Sequence, residues 1–419
     1  MNGSFLPGDR EKFHPEIFLV SPDWPPEGTH NGICTYVAHL REGLVGLGCG
    51  PTVLAMAGEV PETGSGDVVD LGAVRPEPRS IFARVRVGFR SRMSWSFGIS
   101  DATARRISAA MSNISGGRPR VLEIEESFGF GGHFKDRDFA LVIRAHGPFF
   151  KGAAALGIPF DRRVRDRCAA EARAVRHADG ISAPSQYILD AISREWDISG
   201  IPTAVIPNPA VPVPPDLRWR PGTTGPKQIL YVGRFDRLKG ADLMLKAFNF
   251  IAEEKADVEL LFAGPDRGLT DDDGRHWKLH QYAEAHLSPD ARSRFRYLGV
   301  VSRTLLQDLR RTSAVCVVAS REETFSYAAL EALGAGCPLV AARMGGVPEM
   351  VADEHNGLLF ESGRFESLAA QLLRVLEDND LCKRLSVAAL ESFDRYLPAN
   401  VAQETLNFYA RVCRLTLTQ

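Results

Sequence analysis

Ala314-Val-Cys-Val-Val-Ala-Ser-Arg-Glu-Glu-Thr-Phe-Ser-Tyr-Ala-Ala-Leu-Glu331 joins an apolar run to an alanine-rich segment through a short polar loop. The run from Ala314 to Ala319 is continuously apolar, which fits a parallel strand buried on both faces and bounded by Ser320. The spacing then predicts a helix from near Ser326 that turns Leu330 and Leu333 inward and ends at Gly334-Ala-Gly336. Strand, loop and helix in that order form one step of a doubly wound α/β sheet, and such sheets bind ligands outside the carboxyl ends of their strands. Glu323 falls in the loop, while Glu331 lies about one and a half turns further into the helix. At ~1.5 Å per residue, five helical residues span ~7.5 Å. Two carboxylates facing one crevice at different depths suit a long ligand gripped at two points. The same spacing also fits an exposed loop acid followed by a solvated helix acid.

Earlier in the chain, Ile229-Leu-Tyr-Val-Gly-Arg234-Phe-Asp-Arg-Leu-Lys239-Gly240 repeats the pattern of a short apolar strand entering a glycine-containing loop. Met244, Ala247, Phe248 and Ile251 follow at i, i+3, i+4 and i+7, which predicts an amphipathic helix. Gly233 and Arg234 open the turn and Lys239 closes it. Backbone N–H groups and the helix dipole already favour anions at such a turn. Two fixed cations there suit a diphosphate, which gains negative charge as it departs from a donor. Preorganised positive charge at that point stabilises a transition state by several kcal/mol.

The ordered set G-R-x-x-x-x-K-G, the strand end Phe262-Ala-Gly-Pro265 and E-x7-E resembles that of retaining glycosyltransferases of the GT-B fold, of the large family four type. The similarity continues downstream in Gly336-Cys-Pro-Leu-Val-Ala and Gly345-Gly-Val-Pro-Glu349. Upstream it includes Ala183-Pro-Ser-Gln-Tyr187 and Val205-Ile-Pro-Asn208. Each piece is weak alone, and the order makes the set specific. The likeness covers about the whole chain, strongly from 180 to 365 and more loosely before. Two departures stand out. The Asn31-Gly32 loop has one glycine where many relatives have two, and Thr324 takes the place of a frequent glycine, which bears on sugar preference.

Composition agrees with that expectation. A chain of 419 residues, 44% hydrophobic and 24% charged, is ordinary for a soluble globular protein of two to three domains. A net charge of −2 gives no sign of nucleic-acid binding. The seven cysteines are scattered and odd in number, several inside apolar runs, and read as small buried hydrophobes in a reducing compartment. No C-x-x-C or His/Cys cluster suggests a metal site. The N-terminus lacks a basic start followed by an apolar stretch, and no apolar run is long enough to span a bilayer. The expectation is a cytoplasmic protein.

The strand Ile17-Phe-Leu-Val20, a Pro/Gly loop to Gly32, and a helix marked by Ile33, Val37, Leu40, Leu44 and Leu47 form a doubly wound opening. Further strands are expected within 118–126 and 139–147. Asn208-Pro-Ala-Val-Pro-Val-Pro-Pro215 reads as a stiff linker, and a second βα series runs from Gln228 to about residue 390. The tail places Val401, Leu406, Tyr409, Val412 and Leu415 roughly on one helical face. With the resemblance, these elements imply a GT-B α/β fold of two facing Rossmann-like domains with an interdomain cleft. The expected boundaries are an acceptor-binding domain at 1–210, a nucleotide-sugar donor domain at 211–395, and a last helix at 396–419 bracing the first domain.

The resemblance also implies roles. Arg234 and Lys239 hold the donor diphosphate, aided by Gly233 and the backbone N–H groups of Phe325 and Ser326. Glu323 takes hydroxyls of the donor sugar and Glu331 the nucleoside ribose, since a carboxylate accepts from two vicinal hydroxyls. The base lies near Val300 within Gly299-Val-Val301. Glycines at 28 and 32 let backbone N–H groups approach a phosphate or the acceptor, although a tight turn also calls for glycine. Gly32 is the candidate there. His146 ends the strand Leu141-Val-Ile-Arg-Ala-His and resembles the family histidine that contacts the transferred sugar, although a lone histidine after a strand is commonly structural.

The expected activity is transfer of a hexose, with retention, from a nucleotide-diphosphate sugar to a hydroxyl acceptor, with no metal and no cofactor. A sugar-nucleotide epimerase on the same fold and a non-catalytic sugar-nucleotide-binding protein remain alternatives. Asp271-Asp-Asp273 has the composition of a metal cluster but sits in a polar loop, which favours a solvated turn. The span from Arg75 to Arg106 carries eight arginines against Glu77 and Asp101, interleaved with apolar residues. It fits either peripheral contact with an anionic membrane or a solvated face beside the acceptor.

Overall fold

The computed structural model describes residues 14–26, 31–58, 67–75, 97–114, 117–134, 137–222 and 225–416. The chain forms two compact units. One runs to Pro209 and resumes at Pro398, and the other is Ala210–Leu397.

The first unit contains β1 (Glu16–Ser21), α1 (Gly32–Gly46), β2 (Thr52–Ala55), β3 (Val68–Asp70), α2 (Phe97–Ser112) and β4 (Arg120–Glu125). It continues with β5 (Ala140–Arg144), α3 (Phe149–Ala155), α4 (Arg162–Arg176), β6 (Gly180–Ala183), α5 (Gln186–Glu195) and β7 (Thr203–Val205). Its strands pair in parallel in the order β3-β2-β1-β4-β5-β6-β7. Apolar runs make β1, β2 and β5, as expected for strands covered on both faces, whereas β4 buries Glu123 and Glu125 between its apolar residues. Side-chain caps set the helix starts: Asn31 accepts from the Ile33 N–H, Asp161 from Val164 and Ser185 from Ile188. Val37, Leu40 and Leu44 of α1 are buried as the spacing predicts, whereas Ile33 and Leu47 are half-buried.

In the second unit, β8 (Lys227–Val232), α6 (Ala241–Glu254), β9 (Val258–Ala263), the hairpin β10 (Leu269–Thr270) to β11 (His276–Trp277), α7 (Leu279–His286) and α8 (Pro289–Ser293) come first. Then come β12 (Phe295–Gly299), α9 (Arg303–Thr312), β13 (Val315–Val318), α10 (Tyr327–Ala335), β14 (Leu339–Ala342), α11 (Val347–Met350), β15 (Leu358–Phe360), α12 (Phe365–Glu377) and α13 (Asn379–Ser392). The main sheet is again parallel, in the order β12-β9-β8-β13-β14-β15. Met244, Phe248 and Ile251 of α6 pack with Ile229, Tyr231, Leu260 and Phe262 of the sheet, each large side chain contributing about 1.5–3 kcal/mol. Ser326 caps α10 by accepting from the Ala329 N–H, Leu330 and Leu333 are buried, and Gly336 ends the helix.

α14 (Pro398–Thr416) belongs to the first unit and packs along α1. Val401, Tyr409 and Val412 are fully buried, but Leu415 is 48% exposed. Steps of three residues each fall ~60° short of a helical turn, and from Tyr409 to Val412 to Leu415 that drift carries the last side chain off the buried face.

In each unit the strand order reverses beside the first strand, between β8 and β13 and between β1 and β4. Ligands of open α/β sheets bind at that reversal, outside the carboxyl ends of the strands. Those loops are 233–240 and 319–326 in the second unit. In the first unit they are the loops after β1 and β4, followed by the turn after β5.

Candidate active site

The second unit brings its two sequence motifs into contact. Lys239 Nζ donates to Glu323 Oε2 at 2.7 Å, and Ser320 Oγ donates to the same oxygen at 3.1 Å. Glu323 is 8% exposed and the Lys239 side chain 30%. Oε1 of Glu323 makes no hydrogen bond among the described residues. Asp236 organises the preceding turn, accepting from Arg234 Nε at 2.6 Å and from the Lys239 N–H at 2.8 Å. Tyr231 reaches up from β8 to donate to the Lys239 carbonyl at 2.8 Å. Arg234 itself remains 46% exposed.

Two close approaches fix the pair. Gly240 has φ +68°, and a Cβ there would lie 1.9 Å from the Ala319 carbonyl oxygen. Gly345 has φ +62°, and a Cβ there would lie 1.8 Å from the Glu323 carbonyl oxygen. Gly346 donates its N–H to that same carbonyl at 3.1 Å. Arg321 then ties the β13 loop to α6 through two bonds to Asp242, at 2.6 and 2.7 Å. Phe325 and Ser326 are buried at the start of α10. Glu331 lies one turn into that helix, half-exposed and ion-paired to Arg310, whose side chain is 4% exposed. Val300 follows β12 and is 53% exposed. Gly233 donates its N–H to the Ala263 carbonyl at 2.9 Å, holding the turn to β9.

In the first unit, Gly32 is the exposed first residue of α1, directly after the Asn31 cap, and Gly28 lies outside the described residues. His146 stands after β5 with its ring edge-on to Tyr36, centroids 4.9 Å apart at 73°. Withdrawal from water, and then the nearby Arg144 guanidinium, hold its imidazole well below the ordinary histidine range. It is therefore neutral at neutral pH. Arg144 is buried, donates to the Ile206 carbonyl and to Asn208 Oδ1 at 2.7 Å each, and lies over the Tyr36 ring. The His146 and Gly147 N–H groups donate to Glu126 at 2.9 and 2.7 Å.

Glu125, Glu126 and Glu171 form a buried acidic cluster here. Desolvation, and then the neighbouring Glu126 charge, push Glu125 and Glu171 up to about 7. In the unfolded chain both titrate near 4.5, so between those values the folded chain holds more protons. Their contribution to stability is full below pH ~4.5 and is lost as pH rises through ~7, at most ~3–4 kcal/mol for one group. Glu125→Gln keeps the neutral form at every pH. The variant is expected to match the parent in thermal unfolding near pH ~4 and to exceed it at pH ~8, and equal midpoints at the higher pH would remove this account.

Asp271 is a turn residue. Its Oδ1 accepts the Asp273 and Arg275 N–H groups, its Oδ2 accepts from Trp277 Nε1 at 2.7 Å, and Asp272 pairs with Arg237. Among the described residues no group of three His, Cys, Asp or Glu is placed to hold a metal ion. No helix among them is long and apolar enough to cross a membrane. The basic stretch assigned to membrane or acceptor lies, over 76–96, outside the described residues. Asp236, Arg310 and Glu126 were not singled out by the sequence. Asp236 alone carried a signal, as a carboxylate between two cations.

Two motifs, one carrying Arg234 and Lys239 and the other Glu323 and Glu331, meet at the switch point of a doubly wound α/β sheet, and comparison with known proteins narrows the class. Residues 31–209 match the glycosyl transferase 4-like domain, and residues 215–392 match glycosyl transferases group 1. The chain belongs to the glycosyl transferases group 1, of the family four type. It is 31% identical over 187 residues to a D-inositol 3-phosphate glycosyltransferase of Streptomyces bingchenggensis, covering 44% of this chain and 40% of that protein. It is 30% identical over 185 residues to an uncharacterised glycosyltransferase of Methanocaldococcus jannaschii, covering 44% of each. The chain thus spans less than half the length of the curated relatives it matches. Sucrose-phosphate synthase from Thermosynechococcus elongatus shares the fold, with a TM-score of 0.70 at 20% identity over 96% of this chain and 100% of that one. Anabaena HepE, solved in complex with UDP, has a TM-score of 0.64 at 16% identity, over 94% and 100%. The architecture is that of GT-B glycosyltransferases, two parallel-sheet Rossmann-like units.

Proposed function

We propose that the chain transfers a hexose from a nucleoside diphosphate sugar to a hydroxyl acceptor, with retention and without a metal. The observation that carries this reading is the Lys239–Glu323 contact at the switch point of the second sheet. Lys239 and Arg234 neutralise the diphosphate, whose charge grows as it leaves, together with the Phe325 and Ser326 N–H groups at the start of α10. Glu323 directs its unbonded Oε1 to hydroxyls of the donor sugar. Glu331, with one oxygen held by Arg310, offers the other to the ribose. Gly233 and Val300 border the nucleoside. On the first unit, Gly32 is assigned to a phosphate or the acceptor, and His146 to the transferred sugar. A neutral imidazole suits that last role, because it accepts a hydrogen bond from a sugar hydroxyl.

Uridine is a reasonable first base to test, since HepE has been solved with UDP and with UDP-glucose. A phosphorylated polyol is a reasonable first acceptor, given the relatives' names. A panel of nucleotide sugars, screened for thermal stabilisation and then for release of nucleoside diphosphate with inositol phosphate present, tests the reading. At 100 times Kd a true donor stabilises by about 2.7 kcal/mol. Stabilisation with acceptor-dependent release supports transfer. Stabilisation without turnover indicates a binding protein, conversion of the sugar within the nucleotide an epimerase, and no stabilisation by any of them contradicts the proposal.

A further inference from the structure

We propose that Glu126 is a positioning residue for His146: its buried carboxylate holds the main chain of the turn that presents the imidazole. The inference rests on the assignment of His146 to the transfer site.

Glu126 follows β4, at the strand-order reversal of the first sheet, and is 1% exposed. Its two oxygens take two consecutive amides, Oε2 from His146 at 2.9 Å and Oε1 from Gly147 at 2.7 Å. Pro148 has no N–H. The Phe149 N–H goes to Glu171 Oε2 at 2.8 Å. Every amide hydrogen of residues 146–149 therefore ends on a buried carboxylate. Desolvating a carboxylate costs several kcal/mol unless hydrogen bonds offset it, and here those bonds come from the turn itself. The His146 ring has Tyr36 as one wall, and Tyr36 is in turn fixed by donating to Glu123 Oε1 at 2.8 Å. Main-chain orientation supplies the remaining restraint.

The turn that aims Glu126 is itself strained and held. Phe128 has φ +58°, a left-handed conformation costing about 1–3 kcal/mol for a non-glycine residue. Ser100 Oγ donates to the Phe128 carbonyl at 2.7 Å, and Arg167 lies 4.3 Å from the centroid of the Phe128 ring. The same guanidinium lies 3.8 Å from the Phe149 ring centroid and donates from Nε to Glu171 Oε1 at 3.1 Å. One arginine thus locks the strained turn, the second carboxylate and the far end of the His146 turn together.

Glu126→Gln keeps the size of the side chain but sets an NH2 group against one of the two amides. In the full chain, amide exchange at His146 and Gly147 is expected to speed by about tenfold or more, ~1.4 kcal/mol. Leu122 and Val142, inside β4 and β5, should be unchanged. With UDP-glucose as probe, kcat should fall about tenfold with KM within about twofold, and the His146→Ala loss should not grow when the two substitutions are combined. Glu126→Asp, one methylene shorter, serves if the glutamine variant fails to fold and is expected to behave alike. Unchanged exchange at residues 146 and 147, or losses that multiply, overturns the inference. If UDP-glucose is not turned over at all, the exchange result alone decides it, and the transfer reading stands or falls separately on the whole nucleotide-sugar panel.

Discussion

Lys239→Met is expected to lower the proposed sugar transfer by about 10²–10³-fold while leaving the fold intact. The substitution keeps an unbranched apolar stem, with sulfur in place of Cδ, and removes Nζ, which donates to Glu323 at 2.7 Å. In the resting protein that contact compensates a carboxylate that is 8% exposed. Under the proposed transfer, the same ammonium faces charge developing on the departing diphosphate, where a preorganised cation acts most strongly. Because the Lys239 side chain is 30% exposed, solvent screens the pair, and the stability cost should be only about 1 kcal/mol. Turnover and the unfolding midpoint measured on the same preparation separate the two effects. A variant that retains activity removes Lys239 from the mechanism.

Gly240→Ala is expected to destabilise the second unit by on the order of 3 kcal/mol or more and to abolish activity with it. The left-handed backbone at φ +68° disfavours any side chain, and the new methyl would meet the Ala319 carbonyl at 1.9 Å. Relief requires the 233–240 turn to move away from the β13 loop. That movement parts Lys239 from Glu323 even where the chain still folds. Chemical denaturation gives the first effect, and residual turnover at a temperature where the variant remains folded gives the second. A variant with unaltered stability would mean that the two loops do not approach as closely as described.

How far the site was legible depends on whether its parts are local. Arg234, Lys239, Glu323 and Ser326 each sit in a strand-to-helix turn, and apolar runs and glycines mark such turns directly. The contact between Lys239 and Glu323 spans 84 positions. The family resemblance assigns both residues to one donor site without pairing them, and they meet because the doubly wound sheet places β8 beside β13. The Glu331–Arg310 pair and the Glu126–His146 bonds join residues 21 and 20 positions apart, and no periodicity records them. They arise from how α9 meets α10 and how the loop after β4 meets the turn after β5. Arg144 shows the same limit. It ends an apolar strand and gave no hint of lying buried against Tyr36 and Asn208. At the other end of the chain, Leu415 shows that apolar residues at near-helical spacing drift off a face within two turns.

The central claim is that the turn carrying Arg234 and Lys239 receives the diphosphate of a sugar nucleotide. Calorimetric titration of UDP, GDP and ADP, each beside its parent nucleoside, into the full chain and into Lys239→Met tests it directly. The account predicts that at least one nucleoside diphosphate binds the parent about tenfold or more tighter than its nucleoside, ~1.4 kcal/mol, and that this preference falls sharply in the variant. Equal affinity of parent and variant for the diphosphate, or no binding of any of the three, would contradict it.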